Sequence, residues 1–391
     1  MTVKQRVGCG AMLKLALRRR GVLAASVIAL VLVACSSGAS ASWARVAVSG
    51  AHAVVADSIP DLAPELPKLA YVTGTSTSKV WLASASGKEA KVLGPGQQPL
   101  LAPDGQLVAA SLFGVSSGVE EHGPALGLYS ASGAPIVDYL NLETSTAAPL
   151  AWSADSRYLA VELQSTQIVD GRVASSLDVI DTQTQTVTQI AKGTIYGVSF
   201  AHDGSDELVF GLSHSESFAG GVNLYTSEPN GSGLRRLTSD GRSLNPIWGP
   251  RYIAYDREHS RKLSPEYQIW LASPSGGAPV RRVTHISVDA LAQGLVPLAF
   301  SASGNRLVAQ FEGQDQSGAY AVNVITGRAR EVTVHGRAVI GAGISSNGST
   351  LLIDENALFE PPSKARVASI PFAGGHSHVL IAHGSQASWN E

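Results

Sequence analysis

Residues with catalytic or metal-binding side chains are few in this chain, and their spacing completes no familiar site. His376 and His378 lie two positions apart, which would place both on one side of a strand and suits two ligands of a zinc ion. No third ligand follows from the sequence, and solvent-exposed histidines explain the pair without a metal. Gly211-Leu-Ser213-His214 lacks the second glycine of a nucleophile elbow. The sequence therefore predicts no enzyme activity, no cofactor and no metal site.

Polar and aromatic residues concentrate in five long segments between predicted strands: 112–125, 162–176, 212–221, 256–267 and 354–364. Long connections on a rigid scaffold often carry binding residues. Charged loop residues are also the default on any protein surface, so each single residue keeps both interpretations. We predict a binding face that contains Glu120, Glu121, His122, His214, Phe218, Arg257, His259 and Phe359.

The N-terminus has the composition of an export signal. Residues 1–34 contain six bases and no acid, and an uncharged apolar run follows from Gly21 to Val33. Such a run is too short to cross a bilayer comfortably as a helix. We predict a signal peptide over residues 1–34, and a start at Met12 would shorten it to a more usual length.

Cys35 is the predicted modification site. The run ends in Leu32-Val33-Ala34-Cys35, which resembles a bacterial lipobox, where cleavage before the cysteine exposes it for lipid attachment. An ordinary cleavage site that happens to contain cysteine is the alternative. The only other cysteine is Cys9 in the leader, so the mature chain would hold no disulfide and no thiolate metal site.

Composition indicates an exported globular domain behind a linker. Residues 35–65 are rich in Ser, Gly, Ala and Pro and predict a flexible linker, although residues 43–56 alternate enough to add a strand. Without the six leader bases, 23 bases stand against 31 acids, a net charge of about −8. This charge argues against nucleic-acid binding. The predicted product is an envelope protein, monomeric and anchored to a bacterial membrane through lipid on Cys35.

A repeat of short strands organises residues 66–391. One line recurs six times, an apolar strand followed by a polar turn, at spacings of 44 to 52 residues. A second strand follows each turn at once, which predicts a tight hairpin. Four short strands in a repeat of this length are typical of a β-propeller blade. The recurring lines are Leu101-Ala-Pro-Asp-Gly105, Trp152-Ser-Ala-Asp-Ser156, Phe200-Ala-His-Asp-Gly204, Trp248-Gly-Pro250, Phe300-Ser-Ala-Ser-Gly304 and Ile344-Ser-Ser-Asn-Gly348.

These lines, with the Leu-Thr ending of the fourth strand at Leu237-Thr238, resemble the WD40-like (PD40) repeat of TolB-type β-propellers, whose signature is Trp-Ser-Pro-Asp-Gly. The resemblance covers most of residues 66–391. It implies an all-β propeller of four-stranded antiparallel blades that engages protein partners.

The chain ends predict seven blades. Residues 69–72, 80–83 and 90–93 supply the second to fourth strands of a blade that lacks its first strand, and Gln386-Ala-Ser-Trp389 matches that missing strand. Pairing the last strand with the first would close the ring and remove an exposed edge. The TolB-type family more often has six blades, so six remains open.

Two functions fit this architecture. The first is a lipid-anchored binding or scaffold module of the cell envelope that takes a protein or peptide partner. The second is a propeller enzyme, such as a polysaccharide lyase that holds a metal near the ring axis. Propeller peptidases carry a further α/β-hydrolase domain after the ring, and the sequence ends at the predicted closing strand, so we do not expect that enzyme class.

Overall fold

The structure is a computed structural model of the chain. It describes residues 67–74, 78–112, 126–133, 135–139, 145–169, 172–213, 221–260, 266–287, 292–313, 317–356 and 364–390. The predicted signal peptide, Cys35 and the linker lie outside the described residues.

Twenty-eight strands in the described residues fall into seven groups of four, which agrees with the predicted count. Five groups are separate four-stranded sheets, and a parallel pairing of Tyr267 with Gly294 joins the fifth and sixth groups into one eight-stranded sheet. We call these groups blades 1 to 7. Blade 1 contains β28 (Ser385–Trp389), β1 (Lys68–Thr73), β2 (Lys79–Ser84) and β3 (Lys91–Pro95). Blade 2 contains β4 (Gln97–Leu101), β5 (Leu107–Ser111), β6 (Leu126–Ser130) and β7 (Pro135–Tyr139). Blade 3 contains β8 (Ser145–Trp152), β9 (Tyr158–Val169), β10 (Arg172–Asp181) and β11 (Thr186–Lys192).

The remaining blades follow the same order. Blade 4 contains β12 (Thr194–Phe200), β13 (Leu208–Ser213), β14 (Asn223–Ser227) and β15 (Arg235–Arg236). Blade 5 contains β16 (Ser243–Trp248), β17 (Ile253–Ser260), β18 (Glu266–Ala272) and β19 (Arg281–Arg282). Blade 6 contains β20 (Ala292–Phe300), β21 (Arg306–Gly313), β22 (Ser317–Asn323) and β23 (Ala329–Glu331). Blade 7 contains β24 (Val339–Ile344), β25 (Thr350–Glu355), β26 (Arg366–Pro371) and β27 (His378–Ile381).

The polar turns of the repeat cap their own hairpins. Asp104 Oδ1 accepts a hydrogen bond from Gln106 N at 2.9 Å, and Asn347 Oδ1 accepts one from Ser349 N at 2.8 Å. Short polar side chains satisfy the backbone of a tight turn in this way. The turn residues of the repeat therefore serve the fold.

The apolar core lies in layers between neighbouring blades. One layer joins Leu69 and Tyr71 of blade 1 to Leu352 and Val367 of blade 7, and corresponding layers join the other blades. The first strands contact one another in the order β28, β4, β8, β12, β16, β20, β24 and again β28. The strands bury both of their faces in these layers, because each blade is covered by a neighbouring blade on each side.

The last strand pairs with the first one described. In this antiparallel pairing Leu69 lies opposite Trp389 and Ala70 lies opposite Ser388. The predicted pairing of residues 386–389 with the strand at 69–72 is thus present in the structure. It supplies the first strand of blade 1, which brings that blade to four strands.

Two of the predicted long loops are partly strand. We expected loops over 162–176 and 256–267, but β9 and β10 run for 12 and 10 residues and continue to Val169 and from Arg172. Likewise β17 extends to Ser260. The β-branched residues of Thr166-Gln-Ile-Val169, followed by Asp170-Gly171, form a hairpin signal that accounts for the ribbon. Among the described residues, no helix is long and apolar enough to cross a membrane.

Candidate functional site

The propeller has two unlike faces. The connections between first and second strands and between third and fourth strands lie on one side, which we call the hairpin face. The connections between second and third strands and between blades lie on the other, which we call the loop face. Function is expected on one of these two surfaces, because the layers between blades are filled by apolar side chains.

Most of the predicted binding face lies outside the described residues. This holds for Glu120, Glu121, His122, His214, Phe218 and Phe359. Arg257 and the backbone of His259 are described, both on β17. Their position near the end of a second strand places them at the loop face.

Arg257 has partners within the protein. Its Nε donates to Asp240 Oδ2 at 2.7 Å, and its guanidinium lies 4.7 Å from the centre of the Trp270 ring. Asp240 Oδ1 in turn accepts from Arg242 N and Ser243 Oγ, each at 3.0 Å. A planar guanidinium can stack and bond in one position in this way. Arg257 therefore ties the connection between blades 4 and 5 to β18, and its side chain remains only 24% exposed.

A second set of polar residues recurs directly after the apolar triplet of the second strand, a position that the sequence analysis did not single out. The second strands begin with apolar triplets such as Leu159-Ala-Val161, Ile253-Ala-Tyr255 and Leu351-Leu-Ile353. In four blades the residue after the triplet is polar and largely buried, which was a detectable signal in the aligned repeats. These residues are Glu162, Asp256, Gln310 and Asp354.

Two of these side chains reach into the next blade. Asp354 Oδ2 accepts from Gln386 N at 2.6 Å and from Ala387 N at 3.3 Å, and Gln310 Oε1 accepts from Gly341 N at 2.8 Å. The first strands that they meet are bulged, since their register shifts near these residues. A bulge leaves a backbone N–H out of the ladder, and the neighbouring blade supplies its acceptor.

Burial makes these carboxyl groups titrate near neutral pH. Desolvation raises the pKa of Asp256 to about 8 and the pKa values of Glu162 and Asp354 to about 7. Such values suit a general acid. However, Asp256 and Asp354 are 0% and 4% exposed, so a substrate does not reach them in this structure. Their contacts with the bulged strands indicate a structural role.

The described part of the chain places no group of three or more His, Cys, Asp or Glu side chains to hold a metal ion. His378 is the first residue of β27 and His376 precedes that strand. Both are exposed to solvent.

The hairpin face carries an acidic cavity of about 250 Å³ between blades 3 and 4. Tyr158, Asp181, Asp206 and Glu228 line it. Burial would raise the pKa of Asp181, but hydrogen bonds from Arg157 and from two backbone N–H groups outweigh burial and lower it to about 2. Asp181 therefore stays ionised and paired with Arg157 at 2.7 Å. Sequence reasoning assigned no binding to this face.

The three-dimensional structure has known relatives. It is similar to TolB from Acinetobacter baumannii (14% identity, TM-score 0.51), covering 83% of this chain and 66% of that one. It is also similar to an oligogalacturonate lyase from Vibrio parahaemolyticus (13% identity, TM-score 0.54), covering 73% and 82%. A puromycin-hydrolysing peptidase of Mycobacterium tuberculosis (12% identity, TM-score 0.55) shares 81% of this chain and 54% of its own length.

These similarities establish a TolB-like β-propeller fold and nothing finer, because neighbours of such low identity include TolB, a lyase and a peptidase alike. The chain spans 66% of the length of TolB and about half of the peptidase. No family model and no curated protein sequence matches the chain.

Proposed function

We propose that this chain is an exported β-propeller, held in the bacterial cell envelope by lipid on Cys35, that binds a protein or peptide partner through its loop face. The observation that carries the proposal is the unequal elaboration of the two faces. The hairpin face has short turns capped by their own side chains. On the loop face, β9 and β10 extend into a two-stranded ribbon.

The ribbon offers the chemistry that extended peptides recognise. Among the described residues, Ile168–Val169 and Arg172–Val173 pair only with each other. Each strand of a two-stranded ribbon keeps one edge of unpaired N–H and C=O groups. An extended segment of a partner can add to such an edge, with main-chain hydrogen bonds giving affinity.

Shortening the ribbon is expected to remove partner binding while preserving the fold. In this variant Asn-Gly replaces residues 166–173, so that Ser165 and Ala174 are joined by a two-residue turn. Cross-linking and pull-down from the native envelope should recover at least about tenfold less partner. Circular dichroism should show an unchanged melting transition.

The matched control changes the other face. Lys88→Ala with Glu228→Ala alters two exposed hairpin-face side chains and should leave recovery of the partner unchanged. Loss of the partner in this control, with retention in the shortened variant, would assign binding to the hairpin face. A bound metal together with cleavage of a polysaccharide would replace the proposal by the lyase alternative.

Lipidation makes a separate prediction. Protein from the membrane fraction should begin at Cys35 and carry acyl chains by mass spectrometry, and a Cys35→Ser variant should fail to incorporate labelled palmitate. Two or three acyl chains are needed for stable attachment, since one chain binds only marginally. A soluble mature form that starts after Cys35 contradicts the anchor.

A further inference from the structure

The most exposed large aliphatic side chains of the described residues occur in three consecutive blades. Leu234 is 52%, Val280 50% and Ile325 63% exposed. Leu234 and Val280 directly precede the short fourth strands of blades 4 and 5, and Ile325 lies in the turn before the fourth strand of blade 6. All three therefore lie at the outer edge of the hairpin face.

Arginines accompany these aliphatic residues. Arg235 and Arg236 follow Leu234, Arg281 follows Val280, and Arg328 lies three residues after Ile325; all four arginines are exposed. We call this surface the basic rim. It consists of Leu234, Arg235, Arg236, Val280, Arg281, Ile325 and Arg328.

Hydrogen bonds between blades make the basic rim continuous. Arg235 donates to Ser275 O at 2.8 Å and to Pro274 O at 3.0 Å, in the turn that leads to Val280. Arg281 donates to Ile325 O at 3.4 Å and to Val324 O. The same arginine position thus joins blade 4 to blade 5 and blade 5 to blade 6. It also fixes the spacing of the three aliphatic residues.

The charge of the basic rim is local. The mature chain is acidic overall, and the hairpin face of blades 2 to 4 carries Asp104, Asp155, Asp203 and Asp206. Near the basic rim the acids are Glu207, 3.8 Å from Arg235, Glu228 in the turn before Leu234, and Glu331. Positive charge and exposed apolar side chains therefore coincide at one edge of the ring.

We propose that the basic rim docks on an anionic lipid bilayer. Aliphatic side chains that project singly beside arginines suit the boundary between headgroups and acyl chains, because the apolar groups enter it while the guanidinium groups meet phosphate. The three aliphatic residues line an outer edge, and such an edge matches a deformable lipid surface better than a shape-complementary protein. An acidic protein is the alternative that the test separates.

Docking at the basic rim would orient the loop face. The hairpin edge of blades 4 to 6 would meet the membrane, and the ribbon of blade 3 would point away from it, free for a partner. The lipid on Cys35, which belongs to the proposed function, would supply only proximity, since a tether raises the effective concentration of a second contact. The contact itself depends on the basic rim.

The test uses a fluorescent label at the most exposed residue of the basic rim. Ile325→Cys adds one thiol to the full chain, and the wild-type protein labelled in parallel measures any reaction at the native cysteines. After reconstitution into phosphatidylcholine vesicles with phosphatidylglycerol, an environment-sensitive dye at position 325 should shift to the blue and be quenched by lipid-borne quenchers. With phosphatidylcholine alone both effects should be absent.

The experiment has two further parts, a control position for the dye and a pair of charge reversals inside and outside the basic rim. Val92→Cys places the dye at an aliphatic residue that is 44% exposed on blade 1, where no shift is expected. Arg236→Glu with Arg328→Glu should weaken docking by more than about 25-fold, because each lost basic residue costs about 1 kcal/mol and the new carboxylates add repulsion, whereas Lys88→Glu with Lys91→Glu should not.

Each result decides the proposal. Equal signals at positions 325 and 92, equal signals on both kinds of vesicle, or no response to the arginine changes would overturn it. A shift that occurs only after adding soluble envelope protein would assign the basic rim to an acidic protein instead. Strong labelling of the wild-type protein at Cys35 would contradict the lipidation of Cys35 but would not affect the docking proposal. Docking is read from the signal at position 325 above that background.

Discussion

Deletion of residues 386–391 is expected to destabilise the whole propeller by more than about 4 kcal/mol. The strand β28 is tied to three blades at once. It pairs with β1 of blade 1, and Gln386 and Ala387 donate to Asp354 of blade 7. In blade 2, Leu101 N donates to Ser388 Oγ at 3.1 Å.

The deletion has two main costs. It exposes the apolar surface beside Leu69 and Tyr71. It also removes the backbone N–H groups of Gln386 and Ala387, which donate hydrogen bonds to the buried Asp354 carboxylate. Trp389 is only half-buried, so Trp389→Ala alone should cost less than the deletion. It packs closely on blade 7, since a Cβ at Gly343 would lie 2.6 Å from its Nε1.

Chemical denaturation monitored by circular dichroism measures the effect. The deletion should lower the denaturation midpoint strongly, Gly343→Ala should lower it by less, and removal of Glu391 alone should leave it unchanged. A deletion variant with a normal midpoint would show that β28 contributes little to stability.

The second large effect concerns pH and Asp256. An ordinary aspartate titrates near pH 4, whereas burial raises the pKa of Asp256 in the folded chain to about 8. Between these two values the unfolded chain releases its proton first. The free energy of unfolding therefore falls as the pH rises from about 4 to about 8, by up to about 1.4 kcal/mol per pH unit from this group.

The surroundings of Asp256 allow a conservative test. Its Oδ2 accepts from Asn245 Nδ2 at 3.3 Å, a bond that an asparagine oxygen can also accept. Glu312 further raises the pKa of Asp256 through charge repulsion. Asp256→Asn cannot ionise, so between pH 5 and 8 it should make the slope of stability against pH less steep, by up to about 1.4 kcal/mol per pH unit, while Glu162 and Asp354 still titrate.

The measurement is the slope of unfolding free energy against pH. Glu331→Gln, a change at an exposed carboxyl group, is the matched control and should keep the wild-type slope. If Asp256→Asn and wild type have the same slope, Asp256 ionises at an ordinary pH and does not contribute to the pH dependence of stability in this range.

The local sequence determined the blades, because a blade is made of contacts between residues close in the chain. Alternating apolar residues make strands, and turns such as Pro103-Asp-Gly105 join them, with Asp104 capping its own hairpin. The regular spacing then predicted the seven blades. Residues 386–389 were recognisable because they fit the position that the first blade lacks.

Only the tertiary structure decided which polar side chains have partners on distant strands and which side chains are exposed to solvent. Asp354 lies 32 residues from Gln386 in the chain, and the sequence pattern of β25 does not reveal which strand lies opposite its carboxyl group. Arg257 was predicted as a binding residue, yet its partners Asp240 and Trp270 lie on other elements. The basic rim also needed the structure, because Leu234, Val280 and Ile325 form one edge only when successive blades pack side by side. Strand periodicity is a property of a few neighbouring residues, whereas exposure and pairing across blades depend on the arrangement of the whole ring.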